Sequence, residues 1–461
     1  MSKYTEEQLK FINYNGNDSV ILSATAGSGK THSTVGRLNK MIEDGVDPSR
    51  IIFFSFTNDA VNELRSRIKH DVKITTIHSF TSSILGKMGL FKPIVTFYEF
   101  TNWYKDKYKP HPKDPMKIKM DYARNVDRFY EEGAQISAGF SAYKLQNADN
   151  IKVMKPSFYD EYSAFIKETK SRDFSDMLID TEKYSRNAKY KGYFENLYDY
   201  IFVDEYQDTS TLQMKILLAI KAKQYHLIGD KNQSIYGFSG ANCEEIENLL
   251  MKNSTVTQMT LTKNFRSTKK IVENSNRYSS LVAVPHHEED GYIHDNLIND
   301  VMMYNMMNDG KPLTVLARTN NVIKEIEKEC LKKKIKMRYF NFISPQDIEK
   351  INEGKVNPSL KKKIDSVSPY YGNTFNLINF IKENQESDVF VTSIHKSKGR
   401  EFPRCIIINS IDPDMLAETD YDFEEYSFLT NSGEINQEAK NVHYVAVTRP
   451  KEELYFLVYE N

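Results

Sequence analysis

The residues Ala24-Thr-Ala-Gly-Ser-Gly-Lys-Thr31 follow the apolar run Val20-Ile-Leu-Ser23 and precede a helical pattern. A strand, a glycine loop and a helix in that order make a phosphate-binding loop. Gly27 and Gly29 allow backbone N–H groups to approach phosphate oxygens, and the helix N-terminus adds a favourable dipole. Lys30 is expected to reach the β- and γ-phosphates, and Thr31 to hold Mg²⁺. Ala24 stands where the general pattern has its first glycine.

A second constellation is Phe202-Val-Asp-Glu-Tyr-Gln-Asp208, an apolar strand ending in paired acids. Asp204 suits the Mg²⁺ shell, and Glu205 suits orienting or deprotonating an attacking water. Gln207 and Asp208 are placed to couple this strand to neighbouring loops. Asp-Glu after a strand is also a common solvated turn; the phosphate loop upstream favours the catalytic reading. Leu227-Ile-Gly-Asp-Lys-Asn-Gln-Ser-Ile-Tyr-Gly-Phe-Ser-Gly-Ala241 leaves a third apolar run. Within it Gln233 is a candidate γ-phosphate sensor. Tyr236 and Phe238 offer flat faces on which bases stack, at about 1–3 kcal/mol per base, although core packing uses the same residues. Arg266, Arg318 and Arg449 stand at loop-like points further on. An arginine that meets a γ-phosphate raises phosphoryl-transfer rates by about 10³–10⁵, whereas most single arginines are surface charges.

These residues need parallel strands to position them. Val20–Ser23, Ile51–Ser55, Tyr200–Asp204 and His226–Gly229 read as buried strands, with helices over Thr31–Ile42 and Asn58–Ile68. The order predicts a parallel sheet with helices on both faces, hence an α/β class. A second α/β set follows, with strands at Thr314–Ala317, Val389–Thr392, Cys405–Ile408 and Leu454–Val458. Its helices are expected at Lys269–Ser279, Val322–Lys334 and Val442–Thr448. Between the first strands, residues 84–170 are rich in Tyr, Phe and Lys and read as a mostly helical, modestly basic insertion. Residues 344–387 are polar, with Pro, Asn and Gly, and read as a small insertion or extended loop. The expected boundaries are 1–83 and 171–263 for the first α/β domain, and 264–343 and 388–461 for the second.

Composition narrows the class. The chain has 461 residues, room for two to four domains, and 62 Lys+Arg against 63 Asp+Glu, a formal charge of −1. No bulk polycation is present, so a nucleic-acid site has to be a local patch. Apolar residues make up 40% and charged residues 27%, which supports globular cores. No apolar run is long enough to span a membrane, and the polar N-terminus lacks a signal peptide's apolar stretch. Cys243, Cys330 and Cys405 are too scattered for a zinc site or disulfide framework, so a cytoplasmic location is expected. The abundant Lys, Asn, Ile and Tyr, with AT-rich codons, point to an AT-rich genome; a viral one would put the protein in a host cytoplasm.

Taken in order, the segments resemble the motif set of superfamily 1 helicases of the UvrD/Rep/PcrA type. Gln8 in Thr5-Glu-Glu-Gln8 resembles the adenine-reading Q motif, and residues 24–31 motif I. Phe56–Arg65 resembles motif Ia, Thr75–Phe80 motif Ib, Val203–Asp208 motif II, and Gly229–Ala241 motif III. Lys263–Thr268 resembles motif IV, Thr392-Ser-Ile-His-Lys-Ser-Lys-Gly-Arg-Glu-Phe402 motif V, and Tyr444–Arg449 motif VI. The match runs from residue 5 to 458 and leaves both insertions unmatched.

The resemblance implies two RecA-like domains with ATP and Mg²⁺ at their interface. It implies nucleotide contacts from Gln8, Ala26, Gly27, Ser28, Gly29, Lys30, Thr31, Gly399 and Glu401, with Phe265 stacked on adenine and Glu401 at the ribose. Lys30, Asp204, Glu205, Gln233, Arg266 and Arg449 would be catalytic, the two arginines at the γ-phosphate, and Thr31 and Asp204 would bind the metal. Phe56, Thr57, Asn58, His78, Tyr236, Phe238, Arg318, Asn320, Thr392 and His395 would line a single-stranded DNA track. The function implied is an ATP-dependent DNA helicase moving 3′→5′ on single-stranded and forked DNA, with replication or recombination proteins as partners. The rivals are a translocase that displaces proteins but unwinds little, and a nucleic-acid-binding protein with a decayed ATPase. A P-loop kinase leaves the second motif set unexplained. Departures from the family pattern are Ser239 for Arg, Phe238 for Trp, and Arg400 for Leu. The accessory segment before motif V is reduced to about Phe340–Asp388, and no fused nuclease is expected. His286-His287 reads as loop.

Overall fold

The computed structural model describes residues 4–148, 154–237, 240–338, 342–354, 356, 358–383, 386–417, 419, 421–430 and 432–460. Phe238, Ser239 and Phe340 lie outside them. The chain divides into two compact units. The first comprises Met1–Ser23, Lys30–Lys231 and Tyr236–Leu261; the second comprises Thr262–Asn461 with the short stretches Ala24–Gly29 and Asn232–Ile235. The division falls at Leu261, where a strand of the first sheet ends, rather than at 263.

The first unit is built on β1 (Ser19–Ala24), β2 (Ile51–Phe54), β3 (Lys73–Thr75), β4 (Tyr200–Asp204), β5 (Gln224–Gly229) and β6 (Val256–Leu261). Their order is β3-β2-β4-β5-β1-β6, and the pairs β2–β3, β2–β4, β4–β5 and β1–β5 are parallel. Ile51–Phe54 is buried throughout, as is Gln224–Gly229, the near-continuous apolar pattern of strands covered on both faces. β3 and β6 escaped the sequence reading because Lys-Ile-Thr and Val-Thr-Gln-Met-Thr-Leu are too short or too polar to register as buried runs.

The insertion is helical, as expected. Helices Phe97–Lys107, Met116–Glu131, Gly133–Ala148 and Tyr159–Glu168 close over an aromatic core of their own, with Phe100, Tyr104, Phe129, Phe140, Tyr162 and Phe165 buried together. Its lower limit shifts, because helix Ile77–Lys87 runs through residue 84. One ionic cluster ties it to the sheet-bearing part. Lys144 pairs with Asp173 at 2.9 Å and Asp176 at 2.8 Å, and Asp173 also caps helix Phe174–Ser185 and accepts from Tyr162 at 2.8 Å.

The second unit has β7 (Lys263–Asn264) paired with β8 (Val284–Pro285), and β9 (Tyr292–Leu297), β10 (Leu313–Ala317), β11 (Val389–Ser393), β12 (Phe402–Ile408) and β13 (Pro450–Leu457). The larger sheet runs β11-β10-β12-β13-β9, parallel at each pairing. The α/β class with two parallel sheets is therefore as the sequence indicated. Residues 344–387 are not an extended loop. They form helices Pro345–Asn352, Pro358–Val367 and Thr374–Glu383. Val367, Leu377, Ile378 and Ile381 from this stretch join the core of the second unit. The polar spacing that suggested a loop is the solvent face of short amphipathic helices.

Two core histidines are neutral. His226 on β5 stacks on Phe202 with ring centroids 4.3 Å apart, and neither ring nitrogen has a hydrogen-bond partner among the described residues. Burial holds its pKa well below the ordinary 6.5, and burial pushes His443 down to about 3. A lowered histidine pKa means that the unfolded chain takes up the proton first. Stability is then full above pH 6.5 and lost as pH falls, by up to about 1.4 kcal/mol per pH unit for each group. The thermal midpoint should drop steeply between pH 6.5 and 4. His226→Phe, which keeps an aromatic ring in the stack, should flatten that drop by the share of one group; an unchanged pH profile contradicts this account.

Candidate nucleotide and nucleic-acid site

In the first unit, β1, β4 and β5 are neighbours, and register places Ser23 beside Gly229 and Asp204 beside Ile228. Loops leaving the carboxyl ends of adjacent parallel strands share one edge of the sheet, where α/β proteins bind ligands. Helix Lys30–Glu43 begins at Lys30, so its N-terminal dipole serves the phosphate loop. Gly27 and Gly29 have φ of 71° and 80°, in the left-handed region that disfavours side chains. Gly27 is also sterically required: a Cβ there would lie 2.7 Å from the Arg266 Cβ.

Asp204 sits where β4 ends. Loss of water around its carboxyl group, followed by the charge of Glu205, pushes its pKa up to about 7, against the opposing pull of Lys30. A desolvated carboxylate beside a second one calls for a cation. The oxygens of Asp204 and the Thr31 hydroxyl are hard donors of the kind Mg²⁺ takes, so these residues fit the metal.

Glu205 is held in place. Its φ is 52°, an unusual value for a side-chain-bearing residue, and Gln207 donates its Nε2–H to Glu205 Oε2 at 2.5 Å. The other end of the Gln207 amide accepts from Asp230 N at 3.1 Å. One buried glutamine thus couples the acidic strand end to the loop after β5, as its position in sequence suggested. Gly229 makes room for it, since a Cβ there would lie 2.1 Å from Gln207 Oε1. Beneath it, Tyr206 donates to the buried Glu247, which also pairs with Lys231 at 2.6 Å. Glu247 lies on helix Cys243–Asn253, and no local signal in the sequence singles it out.

Gln8 is buried, and its Oε1 accepts from Thr5 N at 3.0 Å in a capping box at the first helix. Phe56 is 45% exposed and stacks on Tyr236 with centroids 5.2 Å apart. Thr57 caps helix Asn58–Arg67, and Asn58 is exposed on its first turn. His78 lies edge-on to Phe174 at 5.5 Å, its pKa lowered by burial.

In the second unit, Asn264 organises the phosphate loop and motif IV together, a role the sequence reading missed despite its place next to Phe265. Its Nδ2 donates to Ala26 O at 2.9 Å, and its Oδ1 accepts from Arg266 N and Ser267 N. Phe265 N donates to Gly27 O at 2.9 Å, and Ser28 Oγ to Thr25 O at 2.7 Å. Phe265 is 36% exposed, and His286 and His287 follow β8 in a loop, as the sequence indicated, that lies against it. The His286 ring lies 4.8 Å from the Phe265 ring, and His287 Nε2 is 2.9 Å from Phe265 O. The β7–β8 pairing brings them there, and pairing between distant short segments leaves no local pattern.

Arg266 donates to Glu401 at 2.9 Å, and Glu401 also pairs with Lys451 at 2.5 Å. Arg449 is almost wholly buried; it donates to Val445 O, Arg400 O and Thr448 Oγ1, each at 2.9 Å. Lys398 donates to Gln233 O at 2.6 Å. Gly399 has φ of 80° with open space around it. Arg318 follows β10, and Thr392 is the last residue but one of β11, the adjacent parallel strand. Arg318 donates to Glu425 O and Ser427 O, while Thr392 is buried. His395 is half-buried and its pKa is lowered by burial. Asn320 opens helix Asn320–Lys332 and is exposed. Among the described residues no cluster of three or more His, Cys, Asp or Glu could hold a metal, and no helix is long and apolar enough to cross a membrane.

The model of the UvrD/REP helicase N-terminal domain matches residues 4–254, and that of the UvrD-like helicase C-terminal domain matches residues 362–461. The chain is 29% identical over 293 residues to the ATP-dependent DNA helicase PcrA of Leuconostoc citreum, covering 56% of this chain and 36% of that protein. It is 27% identical over 376 residues to the ATP-dependent DNA helicase Rep of Buchnera aphidicola, covering 74% and 55%. A probable DNA helicase II homolog of Mycoplasma capricolum is 29% identical over 281 residues, covering 56% and 38%. The chain therefore spans between about a third and just over half the length of these relatives.

If Asp204 holds Mg²⁺, its raised pKa sets a pH dependence for metal binding. Mg²⁺ needs the ionised carboxylate, so its affinity should be constant above pH 7 and fall below it, by up to about tenfold per pH unit as one proton competes. Titrating Mg²⁺ into the nucleotide-bound protein at pH 8, 7 and 6 checks this, and excess Mg²⁺ should restore occupancy at pH 6. A requirement that stays flat down to pH 6 rules out Asp204 as the ligand.

Proposed function

The chain belongs to the UvrD/Rep helicase family, and on that footing we propose that it is an ATP-dependent DNA helicase that translocates on single-stranded DNA and separates duplex strands. The observation that carries the reading is the convergence at the ends of β1, β4 and β5 of a glycine loop with Lys30, the acid pair Asp204–Glu205, and the loop leading to Gln233.

The chemistry follows from these groups. Lys30 and the loop N–H groups bind the β- and γ-phosphates, and Gly27 keeps the backbone close to them. Thr31 and Asp204 would hold Mg²⁺, which would supply positive charge to the nucleotide's phosphates. The Gln207 amide holds Glu205, whose carboxylate accepts a proton from water as the water oxygen attacks the γ-phosphorus and ADP departs. Gln233 and Arg266 respond to the γ-phosphate, and Phe265 stacks on the adenine with Gln8 reading its edge. Arg449 takes part by exchanging some of its internal hydrogen bonds for phosphate contacts. Positioning and charge stabilisation account for most of the rate in such transfers. Phe56 and Tyr236, with Asn58 and His78, form a base platform on the first unit; Arg318, Asn320, Thr392 and His395 form its counterpart on the second. Movement is 3′→5′, an assignment that rests on the family alone.

ATP hydrolysis should rise strongly on adding single-stranded DNA. Lys30→Ala should abolish it, and Glu205→Gln should retain ATP binding but reduce turnover by 10²-fold or more, a loss of about 3 kcal/mol or more in transition-state stabilisation. Near-normal turnover by Glu205→Gln removes Glu205 as the base. Forked substrates with a 3′ single-stranded tail should be unwound in preference to those with a 5′ tail. DNA-stimulated hydrolysis without strand separation favours a protein-displacing translocase instead.

A further inference from the structure

Beside the Phe56–Tyr236 platform the first unit carries a groove of about 550 Å³. Helix Asn58–Arg67 forms one wall, helix Ile77–Lys87 the other, and edge strand β3 the floor. Its lining includes Arg65, Lys73 and Lys87 and no carboxylate. Among the described residues none of the three cations pairs with an acid; Arg65 donates only to the carbonyl of Ile74, at 3.0 Å. Glu63, two residues before Arg65, is taken up by Arg67 at 2.6 Å, and Asp71, two residues before Lys73, is not among the lining residues. In a chain of net charge −1, three uncompensated cations in one groove leave a local positive potential.

The walls are built for an extended anion. Asn62 and Arg65 share one face of the first helix, and Ser79, Ser83 and Lys87 one face of the second, by helical spacing. Seven or eight residues of helix make each wall about 10–12 Å long, which at about 3.4 Å per phosphate of a stacked strand is room for about three phosphates. Its lining includes Asn58 and Thr76, two residues after Phe56 and two before His78 in sequence. Lys73, Ser83 and Lys87 belong to none of the helicase motifs.

We propose that this groove is a phosphate-backbone channel that extends the single-strand track sideways, past the aromatic platform and along the edge strand, with Arg65, Lys73 and Lys87 each neutralising one phosphate. The proposal rests on the helicase reading, because the platform supplies the strand that enters it.

Exposed lysines make a clean test. The affinity of the full chain for a fluorescent single-stranded oligothymidylate is measured from 50 to 200 mM salt, for the wild type and for Lys73→Gln/Lys87→Gln. Each phosphate contact contributes about 0.7 to the slope of log affinity against log salt on single strands. The double variant should bind more weakly at low salt with a slope shallower by about 1.4, at an unchanged thermal midpoint. An unchanged slope in a variant of a DNA-binding wild type overturns the channel and leaves the helicase reading intact. A wild type with no salt-dependent DNA binding overturns the helicase reading, and the channel with it.

Discussion

Two carboxylates follow one another at the end of β4, and the first has given up most of its water. Coulomb repulsion and desolvation both oppose its ionisation, so the strand end is stable as a charged site only when cations are supplied. The first unit is arranged to supply them. Lys30 opens the helix after β1 and lowers the pKa of Asp204 against the two raising effects. On the proposed reading Thr31 would add a neutral oxygen for a metal, and the pair would complement the charge of Mg²⁺ itself, while Lys30 would meet the anionic phosphates.

Placement of Glu205 depends on a network of polar groups behind it. Gln207 spends one end of its amide on the Glu205 carboxylate and the other on the backbone of Asp230. Tyr206, Glu247 and Lys231 repeat the coupling one layer deeper. Hydrogen bonds of this kind are worth more away from water, and their loss costs more. Gly229 is part of the same device, because any side chain at that position displaces Gln207. In the second unit Asn264 plays the corresponding part, fixing the phosphate-loop backbone and Arg266 with one amide.

The insertion and residues 344–387 differ in how they are anchored. The insertion closes an aromatic core of its own and meets helix Phe174–Ser185 through the paired charges of Lys144, Asp173 and Asp176. Such a buried cluster specifies position more than it adds stability. From residues 344–387, Ile348, Val367, Leu377, Ile378 and Ile381 belong to the core of the second unit. The first is a domain-like appendage, and the second is part of the fold that carries Arg318 and Thr392.

The local chemistry was legible in the sequence because it is written in contiguous residues. Gly-Ser-Gly-Lys-Thr after a strand, Asp-Glu after another, and apolar runs of four to six residues each carry their reason within a few positions, and β4 appeared with the limits its sequence indicated. Tertiary structure alone decided what depends on residues far apart. Glu247 reaches Tyr206 across 41 positions and Arg266 reaches Glu401 across 135. The His286–Phe265 contact depends on two-residue strands that no periodicity announces. The helices of 344–387 were hidden because short amphipathic helices show their polar face in sequence and reveal their apolar face only against a core. Periodicity reports which side of an element avoids water, and it is silent on which other element provides the shelter.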